Sequence, residues 1–471
     1  MTKEKYLFKN TFIITIGKIC TQLITFFLLP LYTAILSTEE YGIVDLVTTL
    51  SILLLPIITF QVEQAIFREL LDSRNNKEKN NLIISNGVIS VTIQCSIFVI
   101  LYFLLALIFK NEYGFLLLIN IISYIYISLF QQIARGKGNN ITYSTGSFIS
   151  ASATIIFNLI FLLKLKMGAK GMILGNTFGQ ITAIIYLLFS EKILKDLHLS
   201  LFDIKYVRKL WKYSFPLIPN ELSWWVFNVS DRVIVSLILG LSSNGILSAA
   251  SKFSNVYITL FNIFNISWTE SISLFIKEKD IEKFFNQIFG LAISLFSSIG
   301  IGIIACMPFA FNMIINIKYS FSYKLIPILI IASLFNVIVG LLSAVYIGNK
   351  NTRAIAKTSI FSAVLNLIIH LLLIKFIGLY AAAISTLASF VIMSIYRLND
   401  VNKKYIKISY NYKKIVCTCL VASIIVTTYY LNNVYAHVFG LILAFTYAVM
   451  INKKSLKMLM SKIKKERKRA I

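Results

Sequence analysis

The segment LIISNGVISVTIQCSIFVILYFLLALIF, residues 82–109, is an apolar run without a single charged side chain. A helix that crosses a bilayer needs about 20 predominantly apolar residues, so this run predicts a transmembrane helix. Similar runs flank it on both sides, separated by short charged or Gly/Asn-containing connections. We therefore predict an all-α integral membrane protein with 14 transmembrane helices. The predicted spans are residues 11–36, 42–66, 82–109, 113–133, 143–163, 171–189, 215–239, 245–275, 284–311, 324–347, 354–374, 378–396, 415–431 and 435–451.

The composition favours the same class of protein. Hydrophobic residues make up 57% of the chain and charged residues 14%, with a mean hydropathy of +0.78, whereas soluble domains carry about 25% charged residues. The formal net charge is +26, a value that can indicate nucleic-acid binding. Here most Lys and Arg residues lie between apolar runs, so the charge indicates membrane topology, and we expect no nucleic-acid partner.

The distribution of Lys and Arg predicts the orientation of the chain. Counted over alternate connections of the 14-helix prediction, 36 of the 46 basic residues fall on the side of the amino terminus and 7 on the opposite side. Cytoplasmic connections are enriched in Lys and Arg. We therefore expect both termini in the cytoplasm of a multi-pass protein of the plasma membrane.

Weak internal similarity predicts a repeat of six helices. Residues 36–42 (LSTEEYG) match residues 239–245 (LGLSSNG) at an offset of 203. Both halves begin on the same side of the membrane, as in parallel repeats, and transporters are commonly built from two such halves around a central binding site. We predict an N-lobe over residues 1–190 and an amphipathic cytoplasmic linker over 191–213, with Ile204 and Trp211 on its apolar side. A C-lobe over 214–400 and two further helices with a basic cytoplasmic tail over 401–471 follow.

Several predicted helices carry one polar face, which includes Asn120 in the fourth span and Trp225 with Arg232 in the seventh. Charged side chains inside a span are costly and usually face a bundle interior or a watery cavity, so they are candidate functional residues. A central cavity that contains Lys18, Arg232 and Lys252 would attract an anionic head group, and a guanidinium can grip phosphate oxygens in a bidentate manner. The candidate substrate-binding residues are Lys18, Gln22, Arg135, Asn228, Arg232, Lys252 and Asn255.

Other interpretations of these polar residues stay open. Asp231 and Arg232 can neutralise neighbouring charges, and Lys18 can extend to the membrane surface. Candidates for ion coupling are Asp231, Glu63, Glu270 and His370. For Glu63 and Glu270 the alternative is a solvated helix end, and His370 is more often a packing residue.

Signals for catalysis are weak. The three His residues lie far apart, without Cys or carboxylate at metal-ligand spacing, and there is no Gly-rich phosphate loop followed by Lys-Ser/Thr. We expect no metal, no cofactor and no enzymatic activity.

The chain also resembles the oligosaccharide flippase family, the polysaccharide-transport branch of the multidrug/oligosaccharidyl-lipid/polysaccharide exporter superfamily. The motifs are residues 36–42 (LSTEEYG), residues 210–219 (LWKYSFPLIP), residues 230–232 (SDR), residues 245–252 (GILSAASK), Trp268, and Asn366 before Gly378.

This resemblance implies a flippase that moves a polyprenyl-diphosphate-linked oligosaccharide from the cytoplasmic to the outer leaflet by alternating access, for capsule, exopolysaccharide or O-antigen assembly. It also implies membrane lipid, a polysaccharide polymerase and other assembly proteins as partners. The alternatives are a cation-coupled multidrug or small-molecule antiporter of the same superfamily, which would favour an acidic cavity, and a membrane-embedded glycan transferase or polymerase, which would need catalytic carboxylates or a large outer loop.

Overall fold

The computed structural model describes residues 26–74, 76–107, 111–409, 411–431 and 433–453, apart from the side chains of six residues within helices. These six are Asn220, Ser223, Trp224, Phe227, Asn228 and Thr352. The described chain contains 17 α-helices, joined by short turns, 3₁₀ segments and one π-helical segment (Ile160–Lys164), and no strand. The helices are α1 (Leu29–Ile35), α2 (Thr38–Thr59), α3 (Val62–Ser73), α4 (Lys77–Ala106), α5 (Gly114–Gly136), α6 (Asn140–Leu159), α7 (Gly168–Ser190), α8 (Ile193–Asp196), α9 (Ile204–Ser214), α10 (Ile218–Ile238), α11 (Leu241–Phe275), α12 (Ile281–Ile314), α13 (Phe321–Gly348), α14 (Thr352–Ile377), α15 (Tyr380–Lys404), α16 (Tyr412–Tyr430) and α17 (Val434–Ile451).

The predicted helical membrane fold is confirmed. Eleven helices of the described chain are long and apolar enough to cross a membrane, and the predicted spans from residue 82 onward each coincide with a helix. The predicted first span lies mostly outside the described residues. Helices α10 and α11, the predicted seventh and eighth spans, carry charged residues and are not among the eleven. The count of 14 therefore stays a prediction.

The helices form two compact units, divided between Ser248 and Ala249 within α11. In the first unit α5 packs against α2, α3 and α7, while α6 packs against α7 and α10 packs against α2. In the second unit α15 packs against α13 and α14, and α12 packs against α13, α16 and α17. The lobe boundaries expected from the sequence stay a prediction.

Two local sequences shape the predicted second span. Ser37 caps α2, because its hydroxyl accepts a hydrogen bond from the Glu40 N–H while the Glu40 carboxylate accepts one from the Ser37 N–H. At the other end, Phe60 and Gln61 have φ angles of 51° and 60°, a left-handed conformation that non-glycine residues seldom adopt. The second span is thus two helices, α2 and α3, with a sharp break between them.

The predicted linker contains helix α9, which packs against α3 and α4. Its buried face is Val207 and Leu210, whereas Ile204, expected on the apolar side, is 49% exposed. The difference arises because the helix begins only at Ile204, so the preceding residues do not continue its face. Trp211, expected on the same side, is half-buried, and its indole N–H donates to the Ser90 hydroxyl at 3.2 Å.

Polar contacts also hold α9 in place. The Tyr206 hydroxyl donates to Glu69 at 3.2 Å, and the Lys209 ammonium binds the same carboxylate at 2.9 Å. Burial and the neighbouring Glu69 carboxylate raise the pKa of Tyr206, so its phenol stays protonated as a donor. The preceding short helix α8 is held separately, by an ion pair of 2.7 Å between Lys137 and Asp196.

In the second unit, the motif residue Trp268 belongs to the core. It is 3% exposed, its indole N–H donates to the Leu341 carbonyl at 2.9 Å, and its ring packs against Phe264, Phe284 and Phe285. Trp268 is thus a packing residue of this unit.

Arg397 was counted among the connections between spans, and this placement is wrong. Helix α15 continues to Lys404, which leaves Arg397 1% exposed inside the second unit. Its guanidinium donates to the hydroxyls of Ser343, Thr358 and Ser359 and to two backbone carbonyls. Such complete hydrogen bonding is what makes a buried cation tolerable.

Candidate functional site

An ion pair lies where α10 packs against α2. The Arg232 guanidinium donates to the Asp45 carboxylate at 2.5 Å, and the side chains of Arg232 and Asp45 are 19% and 7% exposed. Farther along the same helix pair, the Trp225 indole N–H donates to the Thr49 carbonyl at 3.2 Å. Arg232 and Trp225, both predicted on one polar face, therefore face α2.

Asp45 collects two further donors from α11. The Ser248 hydroxyl donates to one carboxylate oxygen at 2.7 Å, and the Asn244 amide lies 3.4 Å from the other. The same amide donates to the Gly42 carbonyl at 3.0 Å. Charge-assisted hydrogen bonds to a buried carboxylate are among the stronger polar contacts in proteins, so Asp45 joins three helices.

Sequence reasoning did not select Asp45. Its partners are 187 and 203 residues away in the chain, so no local spacing indicates the cluster. The available signal was an acidic residue inside a predicted span, which is unusual enough to mark a functional candidate. The alternative expectation, that Arg232 neutralises a neighbouring charge, describes its contact in this structure, with Asp45 as the carboxylate.

A second polar layer connects α2, α5 and α7. The Asn120 amide accepts a hydrogen bond from Ser51 at 3.0 Å and donates to Thr177 at 3.1 Å. Ser123 donates to Gln180 at 2.5 Å. Asn120 was predicted on the polar face of the fourth span, and the structure uses that face for helix–helix contacts.

Glu63 lies at the break between α2 and α3. It is 2% exposed, and neither of its carboxylate oxygens has a hydrogen-bond partner among the described residues. Glu221 and Tyr124 are close enough to interact with it electrostatically. The alternative of a solvated helix end is therefore wrong for Glu63, because the left-handed residues at the break turn α3 into the unit.

Arg135 ends α5 in a partly aromatic environment. Its guanidinium carbon lies 4.7 Å from the centre of the Phe67 ring and 5.5 Å from that of Tyr143, within the range of cation–π attraction. One guanidinium nitrogen donates to the Gln132 side chain at 3.1 Å. Arg135 is thus held as a cation without a carboxylate among these contacts.

The remaining predicted residues are placed as follows. Lys18 and Gln22 lie outside the described residues, as does the side chain of Asn228. Asp231 is half-buried in α10 of the first unit. The other four lie in the second unit, where His370 is fully buried and Lys252, Asn255 and Glu270 are half-buried. Among the residues that the structure describes, no group of three His, Cys, Asp or Glu side chains is arranged to hold a metal ion.

Comparison with solved structures gives the fold family. The lipid II flippase MurJ in an inward closed conformation matches with a TM-score of 0.66 and 17% identity, over 95% of this chain and 99% of that one. An inward-facing multidrug resistance MATE family transporter of the MOP superfamily matches with a TM-score of 0.64 and 13% identity, over 81% of this chain and 94% of that one. An outward-facing MATE structure has a TM-score of 0.60 at 12% identity, over 91% and 98% of the two chains. These TM-scores show that the chain shares the fold of these membrane proteins.

Comparison with sequences is more specific. No curated protein matches the chain. The family model described as polysaccharide biosynthesis protein matches residues 7–269, more than half of the sequence, in agreement with the resemblance drawn from the motifs. The chain belongs to the polysaccharide biosynthesis protein family.

Proposed function

We propose that this protein is a flippase that moves a polyprenyl-diphosphate-linked oligosaccharide repeat unit from the cytoplasmic to the outer leaflet, for capsule, exopolysaccharide or O-antigen assembly. The observation that carries the proposal is the family match over residues 7–269, the part of the chain that contains Asp45, Glu63, Arg135 and Arg232. The shared fold with MurJ supports it, because MurJ is a flippase for a lipid, lipid II.

The chemistry of the first unit is consistent with an anionic head group. Arg232 and Arg135 offer planar guanidinium groups, which bind phosphate oxygens through paired hydrogen bonds. Lys18, Gln22, Asn228, Lys252 and Asn255 complete the set of residues that we propose for cargo binding. Alternating access of an N-lobe and a C-lobe about a central cavity would carry the head across while the lipid tail stays in the membrane.

The excess of Lys and Arg on one side supports a plasma-membrane protein with both termini in the cytoplasm. In that orientation the end of α2 that carries Asp45 faces outward and the linker lies inside. A polysaccharide polymerase and other assembly proteins are the partners that we propose.

Glu63 is our leading candidate for ion coupling. A buried carboxylate without a hydrogen-bond partner is costly when charged, so it responds to protonation or to a cation. Asp231, Glu270 and His370 are the other candidates. The left-handed break beside Glu63 supplies a bend at which helices α2 and α3 can change their relative direction.

The second candidate function is a multidrug or small-molecule antiporter, favoured by the MATE-like fold. An antiporter of cationic compounds needs a net acidic binding surface, whereas Asp45, the acidic residue beside Arg232, is already bound by that cation. A membrane-embedded transferase or polymerase is less compatible with the transporter fold.

The location of lipid-linked repeat units in cells that lack the protein separates these functions. A flippase defect is expected to trap finished lipid-linked repeat units in the cytoplasmic leaflet. Unfinished units would instead indicate an enzyme, and a normal distribution together with increased drug sensitivity would indicate the antiporter.

A further inference from the structure

The two segments that match in sequence also meet in space. An added Cβ on Gly42 would overlap the backbone carbonyl of Leu241, and an added Cβ on Gly245 would overlap that of Thr38. Both pairs of equivalent positions, 42 with 245 and 38 with 241, are separated by the repeat offset of 203. Gly42 thus contacts Leu241 in the same way that Gly245 contacts Thr38. Such a reciprocal pair of contacts between equivalent positions is the pattern of a two-fold symmetric interface.

The same symmetry continues into the polar cluster. Asp45 and Ser248 are also 203 residues apart, and their side chains are hydrogen-bonded to each other at 2.7 Å. At the edge of the contact, the Thr38 and Ser242 hydroxyls are 2.6 Å apart. We call residues 38–45 of α2 and 241–248 of α11 the glycine crossing. Its members all belong to the first unit.

The crossing has little tolerance for intermediate positions. Small residues let two helix backbones approach closely in a membrane protein, and here each glycine faces the other helix's backbone. The contact therefore either forms completely, with Asp45 bonded to Ser248 and Arg232, or the helices separate. Because α10 and α11 are joined by a short turn at residues 239–240, we take them to separate from α2 together. That movement leaves the Asp45 carboxylate and the Arg232 guanidinium without each other, which is unfavourable in a low-dielectric environment.

An anionic cargo can offset the part of this free-energy cost that comes from the unpaired Arg232 guanidinium. Phosphate oxygens can replace the Asp45 carboxylate on the Arg232 guanidinium, because both present two acceptors to its planar fork. A ligand shifts a two-state equilibrium only through a difference in its interaction with the two states. The cargo interacts more strongly with the open state, because only there is the Arg232 guanidinium released from Asp45 and able to bind phosphate.

We propose that the glycine crossing is a latch, closed while Asp45 holds Arg232 and opened when the diphosphate of the cargo takes the place of Asp45 on Arg232. This proposal depends on the proposed function for the identity of the cargo. It assigns Asp45 as a positioning residue that competes with the cargo for Arg232.

Disulfide formation across the crossing tests the latch. In a chain whose five natural cysteines are replaced, Thr38→Cys and Ser242→Cys place two thiols where the hydroxyls now touch. The purified double variant in phosphatidylcholine vesicles is oxidised with or without polyprenyl diphosphate. We expect efficient cross-linking in the absence of ligand and a fall in rate of about fivefold or more with ligand, the lower end of typical coupling between linked sites.

Matched lipids and variants identify the cause. Uncharged polyprenol and phosphatidylglycerol are expected to leave the rate unchanged, and Arg232→Gln is expected to abolish the response to polyprenyl diphosphate. Asp45→Asn is expected to slow cross-linking without any ligand. A control pair within the first unit, Ser73→Cys with Asn80→Cys, starts from side chains 2.7 Å apart and is expected to be insensitive to every lipid.

Several results would overturn the latch. These are no cross-linking in the ligand-free protein, equal responses to polyprenol and polyprenyl diphosphate, and an unchanged response in Arg232→Gln. The cellular location of repeat units tests the proposed function separately. A chain that moves the cargo but shows ligand-insensitive cross-linking would refute the latch alone.

Discussion

Replacement of the two crossing glycines by alanine gives the sharpest quantitative prediction. To bring an alanine Cβ at position 42 to 3.0 Å from the Leu241 carbonyl, the shortest distance that Cβ atoms ordinarily show, the two backbones must move apart by more than 1 Å. Forcing extra carbon into a close-packed contact typically costs about 1–3 kcal/mol. The higher helix propensity of alanine does not offset this cost, because α2 and α11 remain helical whether the crossing is closed or open.

We therefore expect Gly42→Ala to lower the closed-to-open ratio of the crossing by about 5–150-fold. Gly245→Ala should have a similar effect, because its added Cβ meets the equivalent carbonyl of Thr38. The double variant should be little worse than either single one, since the first Cβ already separates the helices, and neighbouring substitutions of this kind are not additive.

The rate of disulfide formation between Thr38→Cys and Ser242→Cys measures these ratios. Gly302→Ala serves as the control, because a Cβ there meets nothing within 4 Å, and it should leave the rate unchanged. The reasoning is refuted if Gly42→Ala cross-links like the parent, or if the two glycine effects sum fully in the double variant.

Four further changes test other parts of the account. Arg232→Ala should reduce transport while membrane insertion is retained, and normal glycan export with this variant would remove Arg232 from the site. Glu63→Gln should insert normally but lose the response of transport to an imposed proton gradient; an unchanged response would exclude Glu63 as the coupling residue. The raised pKa of Tyr206 keeps its phenol protonated in the folded protein. The stability contributed by this donor is therefore complete below the ordinary tyrosine pKa of about 10. It is lost only as the pH rises through the pKa of Tyr206 in the folded state. After correction for intrinsic rates, amide hydrogen exchange in α9 should therefore not change with pH between pH 6 and pH 9 on account of Tyr206. Tyr206→Phe should increase the exchange rate of α9, and equal rates in both proteins would contradict this contact. Arg397→Ala should destabilise the second unit by about 1–3 kcal/mol, the cost of leaving buried hydrogen-bond partners unsatisfied, and an unchanged melting temperature in detergent would show that its hydrogen bonds contribute little.

The sequence predicts the helices well because membrane spans have a strong local signal. An apolar run such as residues 82–109 must satisfy its own backbone hydrogen bonds in lipid, so it forms a helix whatever it packs against. The boundaries are less predictable. Arg397 looked like a connection residue because it is charged, yet the six hydrogen bonds that it donates to neighbouring helices allow α15 to include it.

Only part of the candidate site can be predicted from the sequence. Arg232 was identified because a cation inside a span is rare, but its partner depends on helices that meet through tertiary contacts. The 203-residue repeat contained the missing information, since Gly42 and Gly245 are equivalent positions and Asp45 lies one turn beyond the first of them. Their meeting in space follows from the fold.

The burial of Glu63 has a similar origin. Its position near the end of a predicted span favours a solvated side chain, but the left-handed backbone at Phe60 and Gln61 redirects the chain. No glycine or proline occupies either of these two positions, so residue type did not indicate the break. The buried environment depends on helices from elsewhere in the first unit.

Direct measurement of lipid translocation tests the central claim most closely. The purified protein is reconstituted into vesicles that contain a fluorescent polyprenyl-diphosphate-linked oligosaccharide, and an impermeant reagent destroys the label that is exposed outside. We predict that the intact chain exposes label from the inner leaflet much faster than protein-free vesicles do, and that Arg232→Ala slows this exposure. If the intact, correctly folded chain leaves the inner-leaflet label protected under every imposed ion gradient, the protein is not a flippase for this class of lipid.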